Sequence, residues 1–309
     1  MNHSTFKSFT FGIGLFFTLP LVYGNSSSPS SSDGTLYINK SKTHKVAPVK
    51  YGFHYEEIGM MGEGALHAEL IRNRSFEEAT PPAGLSVKNG LYENVPAPRV
   101  KEKKVFQADP LIGWTTYPLS YTPVFISRTD ENPMSGENKY SMLVNVTEDI
   151  ANHSDALILN RGYYGMNLKT DTSYRLSLFL KNRNYSAPLR VFLVDEWGQR
   201  VSNVIEVNVG NRDWTKYTGE LKPEKNVRRG MFAIQPMSKG QFQIDVVSLF
   251  PSDTWNDGKS VFRKDIVQNL KEFSPSFIRF PGGRIVHGVN EETMYHWKKT
   301  LGPIENRPG

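Results

Sequence analysis

A chain of 309 residues, 38% hydrophobic and 22% charged, has the length of two ordinary domains and the composition of a folded protein. Its net charge of +6 is spread along the sequence. The one dense basic cluster, Arg99 to Lys104, contains a glutamate and no nucleic-acid motif, so it reads as a solvated face and no nucleic-acid partner is expected. The absence of cysteine excludes disulfides, thiolate chemistry and a lipid-modified cysteine anchor.

Residues 1–24 read as a secretory signal peptide, with Lys7 as the charged start, an apolar run from Phe9 to Val22 and small residues near Gly24. The run is short for a membrane span, and no other segment could cross a bilayer. Residues 25–34 form a Ser-rich linker. A secreted or periplasmic location follows, and the lack of cysteine points to a bacterial source. Residues 35–76 hold two strand patterns, Thr35–Asn39 and Val49–Tyr55, and then a predicted helix over Met60–Asn73, where Leu66, Leu70 and Asn73 share one face.

Between 77 and 252 the texture changes. Six short alternating runs, YSMLVNVT, SYRLSLFLK, LRVFLVDE, SNVIEVNV, RGMFAIQPM and QFQIDVVSLF, recur between turn residues, which is the pattern of an all-β sandwich. From 253 to 309 the order is helix then strand. Lys259–Phe273 is amphipathic, and Phe277–Phe280 is a short apolar run that stops at Pro281-Gly282-Gly283.

The chemistry-bearing residues cluster after the two outer strand patterns. Glu56 and Glu57 follow Val49–Tyr55 directly, and a carboxylate there can accept hydrogen bonds from sugar hydroxyls. Arg279 lies inside an apolar run, where a guanidinium is costly without an anionic or hydrogen-bonding partner. Gly282 and Gly283 let the backbone approach a ligand closely. In the sandwich region, Trp114, Tyr163 and Tyr164 are candidate sugar-stacking faces because glycines flank them. Trp197 and Trp214 are weaker ones, since most sandwich aromatics are core. No HExxH, Walker loop or Gly-x-Ser-x-Gly is present, so neither a metal nor a cofactor is expected.

Three separated segments carry a family resemblance. IRFPGG followed by HWKKTLGPIENRPG, KYGFHYEEIG followed by GALHAELIRNRSFE, and FQIDVVSLFPSDTW resemble family 51 of the glycoside hydrolases, the α-L-arabinofuranosidases, and occur in that family's order. The resemblance implies a multidomain protein: a jelly-roll-like, carbohydrate-binding-type sandwich (77–252) inserted in the start of a (β/α)8 TIM barrel, with 253–309 as an incomplete second αβ unit. It implies a secreted glycosidase that removes terminal non-reducing α-L-arabinofuranosyl residues from arabinose-containing polysaccharides or oligosaccharides by a retaining two-carboxylate mechanism. Glu56 aligns with the family's sugar-binding glutamate, Arg279 with an arginine of the −1 subsite, and Gly282, Gly283 and Arg284 with the loop that lines it. A charge-assisted pair between Glu56 and Arg279 is expected. Two positions depart from the family: Arg284 stands where Cys or Asn is usual, and His287 where Glu is usual.

The acid/base and nucleophile of that family follow later barrel strands, so neither is expected in this chain, and the chain alone is expected to be inactive. Asn290-Glu291 reads as a coincidental Asn-Glu. A non-catalytic carbohydrate-binding protein or remnant, or a structural surface protein, are the competing readings.

Overall fold

The structure is a computed structural model that describes residues 39, 41, 51–56, 60–78, 85–88, 91–94, 105–107, 109–150, 155–288, 291 and 294–308. The expected signal peptide, the Ser-rich linker, Glu57, the Arg99–Lys104 cluster and Asn290 lie outside the described residues, as does the first strand pattern apart from Asn39. The chain divides into two units, 1–47 and 48–309. Of the first, only Asn39 and Ser41 are described, with the Ser41 amide and hydroxyl both donating to the Asn39 side chain.

The second unit is mostly β. In chain order its strands are β1 (Phe53–His54), β2 (Leu85–Lys88), β3 (Leu91–Asn94), β4 (Val105–Gln107), β5 (Trp114–Tyr117), β6 (Val124–Thr129), β7 (Ser141–Val146) and β8 (Leu157–Asn160). They continue with β9 (Met166–Leu168), β10 (Tyr174–Asn182), β11 (Pro188–Val194), β12 (Ile205–Asn208), β13 (Thr215–Leu221), β14 (Val227–Gln235), β15 (Gly240–Pro251) and β16 (Ile278–Arg279). All six runs expected as strands are strands: β7, β10, β11, β12, β14 and β15.

Two antiparallel sheets dominate, ordered β13-β10-β15-β7-β6 and β12-β11-β14-β8-β5, with β9 also on β14. They share one core, to which Leu178 and Ile244 of the first sheet and Val191 and Ile234 of the second all belong. The edge strand β13 alternates half-buried and exposed, as a half-solvated strand should. The central strands are buried almost continuously: β14 carries a second, smaller cluster on its other face, around Leu159, Phe192, Val194 and Met231, and β15 is joined by the segment around Leu70 and Arg74, whose backbone hydrogen-bonds to Leu249 and Val247. A third antiparallel sheet, β2-β3-β4, stands separately.

The predicted helix over Met60–Asn73 does not form. One helical turn spans Gly62–Leu66, and even there Glu63 and Gly64 depart from helical angles. The chain then runs extended. His67 bridges Phe262, the Ala68 amide donates to Val261 O at 2.8 Å, and the Leu70 amide donates to Leu249 O at 3.1 Å. The apolar spacing that mimicked a helix face serves a different purpose: Ile71 and Phe76 are buried in the sandwich core. Glu69 anchors this docking. Its carboxylate accepts from the amides of Ile71 (3.0 Å) and Leu249 (2.8 Å) and from the Ser248 hydroxyl (2.5 Å).

The second predicted helix forms in part, as α1 (Lys264–Glu272). Residues 261–263 before it pair instead with 66–68. The chain therefore passes into and out of the sandwich side by side.

Candidate active site at the parallel strand pair

Far apart in sequence, β1 and β16 pair in parallel, with Phe53 opposite Ile278 and His54 opposite Arg279. Parallel pairing requires a crossover connection, and here the crossover contains the whole sandwich. Alternation gives the pair two unlike faces. On one, Tyr55 meets Phe280 (ring centroids 5.7 Å) and Phe53 meets Phe273, just past α1, edge-on at 5.9 Å. On the other, the register puts His54, Glu56 and Arg279 together.

Both strands end at the same level. There the chain after β16 turns through Pro281, Gly282 and Gly283 against the Glu56 side chain. Gly282 is buried with φ +147°, and a Cβ there would sit 2.6 Å from Glu56 Cγ. Only glycine fits, on both steric and conformational grounds. Gly283 faces the carboxylate, with Glu56 Oε2 3.5 Å from the place a Cβ would take. Glu56 keeps 21% of its side chain exposed, enough to meet a ligand.

Its ionisable neighbour is His54, with Nε2 3.7 Å from Glu56 Oε2. The expected Glu56–Arg279 pair is not made. Among the described residues Arg279 forms no ion pair and is exposed. The register is the reason: Arg279 lies level with His54, and Glu56 is two residues further on. His54 is the neighbour of Glu56 that sequence reading missed. Its signal was an ionisable group two positions before Glu56, hence on the same face of a strand.

Of the other candidates, Arg284 opens a short helix, α2 (Arg284–His287). His287 is exposed, with Nδ1 2.9 Å from Gly288 O. Trp114 is not a surface platform. It is 6% exposed, packs between Phe76 and Phe232, and donates from Nε1 to Asn73 O at 3.0 Å. Glycine neighbours marked a turn before a core strand, not an exposed face.

Tyr163 is half-buried against Gly64, and its hydroxyl donates to Glu63 Oε2 at 3.3 Å. Burial, then the charge of Glu63, push that hydroxyl well above the usual tyrosine range. Tyr164 beside it is 85% exposed. Trp197, rated lower in the sequence, is 69% exposed.

A family model for the α-L-arabinofuranosidase 1 domain matches residues 269–309, the segment that supplies β16 and the Pro281–Gly283 turn. Over 84% of its length the chain is 28% identical to Alpha-L-arabinofuranosidase 1 of Arabidopsis thaliana, covering 35% of that protein. It is 26% identical to the extracellular exo-alpha-L-arabinofuranosidase of Streptomyces chartreusis, with 83% of this chain and 28% of that protein aligned. An arabinose-bound GH51 α-L-arabinofuranosidase superposes with a TM-score of 0.69 at 25% identity, over 88% of this chain and 40% of that one.

The chain is a relative of the family 51 α-L-arabinofuranosidases. It spans less than half the length of each of these relatives. As a family 51 relative it carries the RFPGG turn with its two glycines in place, and that turn holds Glu56.

Proposed function

We propose that these residues are the front part of a secreted α-L-arabinofuranosidase acting on arabinose-containing plant polysaccharides or oligosaccharides, in which Glu56 and Arg279 hold the terminal sugar. The observation that carries this reading is the parallel β1–β16 pair. It sets Glu56, His54 and the Gly282-Gly283 backbone at the carboxyl ends of two adjacent strands, where barrel enzymes bind substrate.

On this reading β1 and β16 are the first two strands of a (β/α)8 barrel, α1 covers their outer face, and the sandwich is a carbohydrate-binding-type module inserted between them. Glu56 accepts hydrogen bonds from ring hydroxyls, with His54 beside it. Arg279, without a carboxylate partner of its own, donates to the sugar or to the carboxylates around it. Gly282 and Gly283 leave room for the ring. A retaining mechanism needs two carboxyl groups about 5–5.5 Å apart, one as acid/base and one as nucleophile. We assign neither to residues 1–309, so hydrolysis is expected of a longer product and not of these residues alone.

The test is hydrolysis of an aryl α-L-arabinofuranoside by the protein expressed from the whole coding sequence that contains these residues. Turnover well above a heat-killed sample is expected, and larger than on the matching aryl β-D-xyloside. Turnover no different from the heat-killed sample overturns the reading.

A further inference from the structure

At one end of the second sheet, far in sequence from Glu56, a groove of about 460 Å³ is lined by the turn after β11 and the start of β14. It runs into a second depression of about 320 Å³, which shares Asn226, Val227 and Arg228 with it. Trp197 forms one wall. The residue is 69% exposed, although burial is where most of an aromatic's stabilising value lies.

The turn that presents it is stiff. Asp195, buried beneath, accepts from the amides of Trp197 (3.2 Å) and Gln199 (2.9 Å) and from Lys225 Nζ (3.0 Å). Burial opposes ionisation of Asp195, yet Lys225 and these amides hold its carboxyl below the usual range. An exposed indole on an immobilised turn is a preorganised platform, which loses little freedom when a sugar ring stacks on it.

The register extends the site. Val194 lies opposite Met231, so the Trp197 turn runs beside Gly230 and Arg229 on one side of β14. Met166 lies opposite Gly230 on the other side, and Gly165 packs so closely there that a Cβ would come within 3.0 Å of Arg229 Cα. Arg229 thus stands between the Trp197 turn and the turn that carries Tyr164.

Charge narrows the ligand class. Lys225 and Asp195 satisfy each other. Arg228, Arg229 and Lys169 are exposed and have no ion-pair partner among the described residues, against the two exposed carboxylates Glu196 and Asp171. A guanidinium beside an aromatic face suits a sugar that bears a carboxylate.

We propose that the Trp197–Arg228–Arg229 groove is a polysaccharide-binding site, separate from the Glu56 site, for glycans containing uronic-acid residues. Trp197 stacks on a ring, and the two arginines take the carboxylates. The site needs neither Glu56 nor hydrolysis.

Affinity electrophoresis of the 309-residue chain tests it, with polygalacturonate and fully methyl-esterified polygalacturonate as probes at matched ionic strength. Retardation by the acid form at least tenfold stronger than by the ester is expected. Trp197→Ala and the double variant Arg228→Ala/Arg229→Ala should each weaken it at least tenfold. Lys259→Ala, a basic residue outside the groove, should not, and nor should Glu56→Gln, so failure here and failure of the arabinofuranosidase reading are seen separately. Equal retardation by acid and ester overturns the ligand class. Loss in the arginine variant with none in Trp197→Ala means general polyelectrolyte attraction and overturns the site.

Discussion

Glu56 and Trp114 show how far a residue's type is from its role. Both were candidate ligand contacts, and only Glu56 reaches solvent at a strand end. For the full-length protein, Glu56→Gln and Arg279→Ala should each lower kcat/KM on an aryl α-L-arabinofuranoside by more than tenfold, about 1.4 kcal/mol of transition-state binding. Steady-state kinetics would show it, and unchanged kcat/KM in both would remove them from the site. Trp114 packs on Phe76 and Phe232 in the shared core. Trp114→Ala should therefore cost about 3–5 kcal/mol in urea unfolding. Trp197→Ala should stay within about 0.5 kcal/mol of wild type, since its indole touches little.

Among the elements, the segment 67–76 matters most, because it ties the strand pair to the sandwich. Glu69 is its anchor. Glu69→Ala leaves two buried amides without acceptors and should cost about 2–4 kcal/mol in denaturant unfolding. A cost under 0.5 kcal/mol would mean that the segment docks by its apolar residues alone.

His67 makes the same segment sensitive to acid. Burial first, and then the positive charge of Arg74, lower its pKa to about 4. The folded state holds it neutral, so its contribution is complete above the unfolded pKa of about 6.5 and is lost as pH falls from there towards 4. His67→Phe, which can keep the edge-on contact with Phe250, should flatten Tm against pH in that window. An unchanged slope would place the acid sensitivity elsewhere. Asp245 acts in the opposite sense: burial raises its pKa well above the usual value, so its cost grows as pH rises past about 4.

Across the second unit, order is unevenly secured. The sandwich has two sheets around one core, whereas α1 has no buried residue. Phe273, Phe277, Ile278 and Phe280 are each more than half exposed. Weakly packed elements open first. Limited proteolysis should therefore release the region after residue 259 and leave a fragment reaching from before Ile71 to beyond Pro251. The early start is needed because Ile71 and Phe76 belong to the sandwich core. A resistant fragment made of 259–309 would reverse this map.

Local pattern alone was enough for six strands of the sandwich, for α1 in part, and for the Pro281–Gly283 stop. Alternation and turn residues are written in neighbouring positions, and a half-buried strand has few other ways to be built. The place of Glu56 just past a strand was legible in the same way, whereas the role proposed for it came from the family's aligned segments, because the glycine turn it meets is distant in sequence. Tertiary structure decided what depended on distant partners. Met60–Asn73 has helical spacing, but pairing with 261–263 and β15 satisfies its amides in an extended form and buries Ile71 and Phe76. Trp114 became core and Trp197 a surface platform because β8, Phe232 and the buried Asp195 lie where they do. His54, rather than Arg279, became the ionisable neighbour of Glu56 because register is set by the whole crossover, which no local window contains.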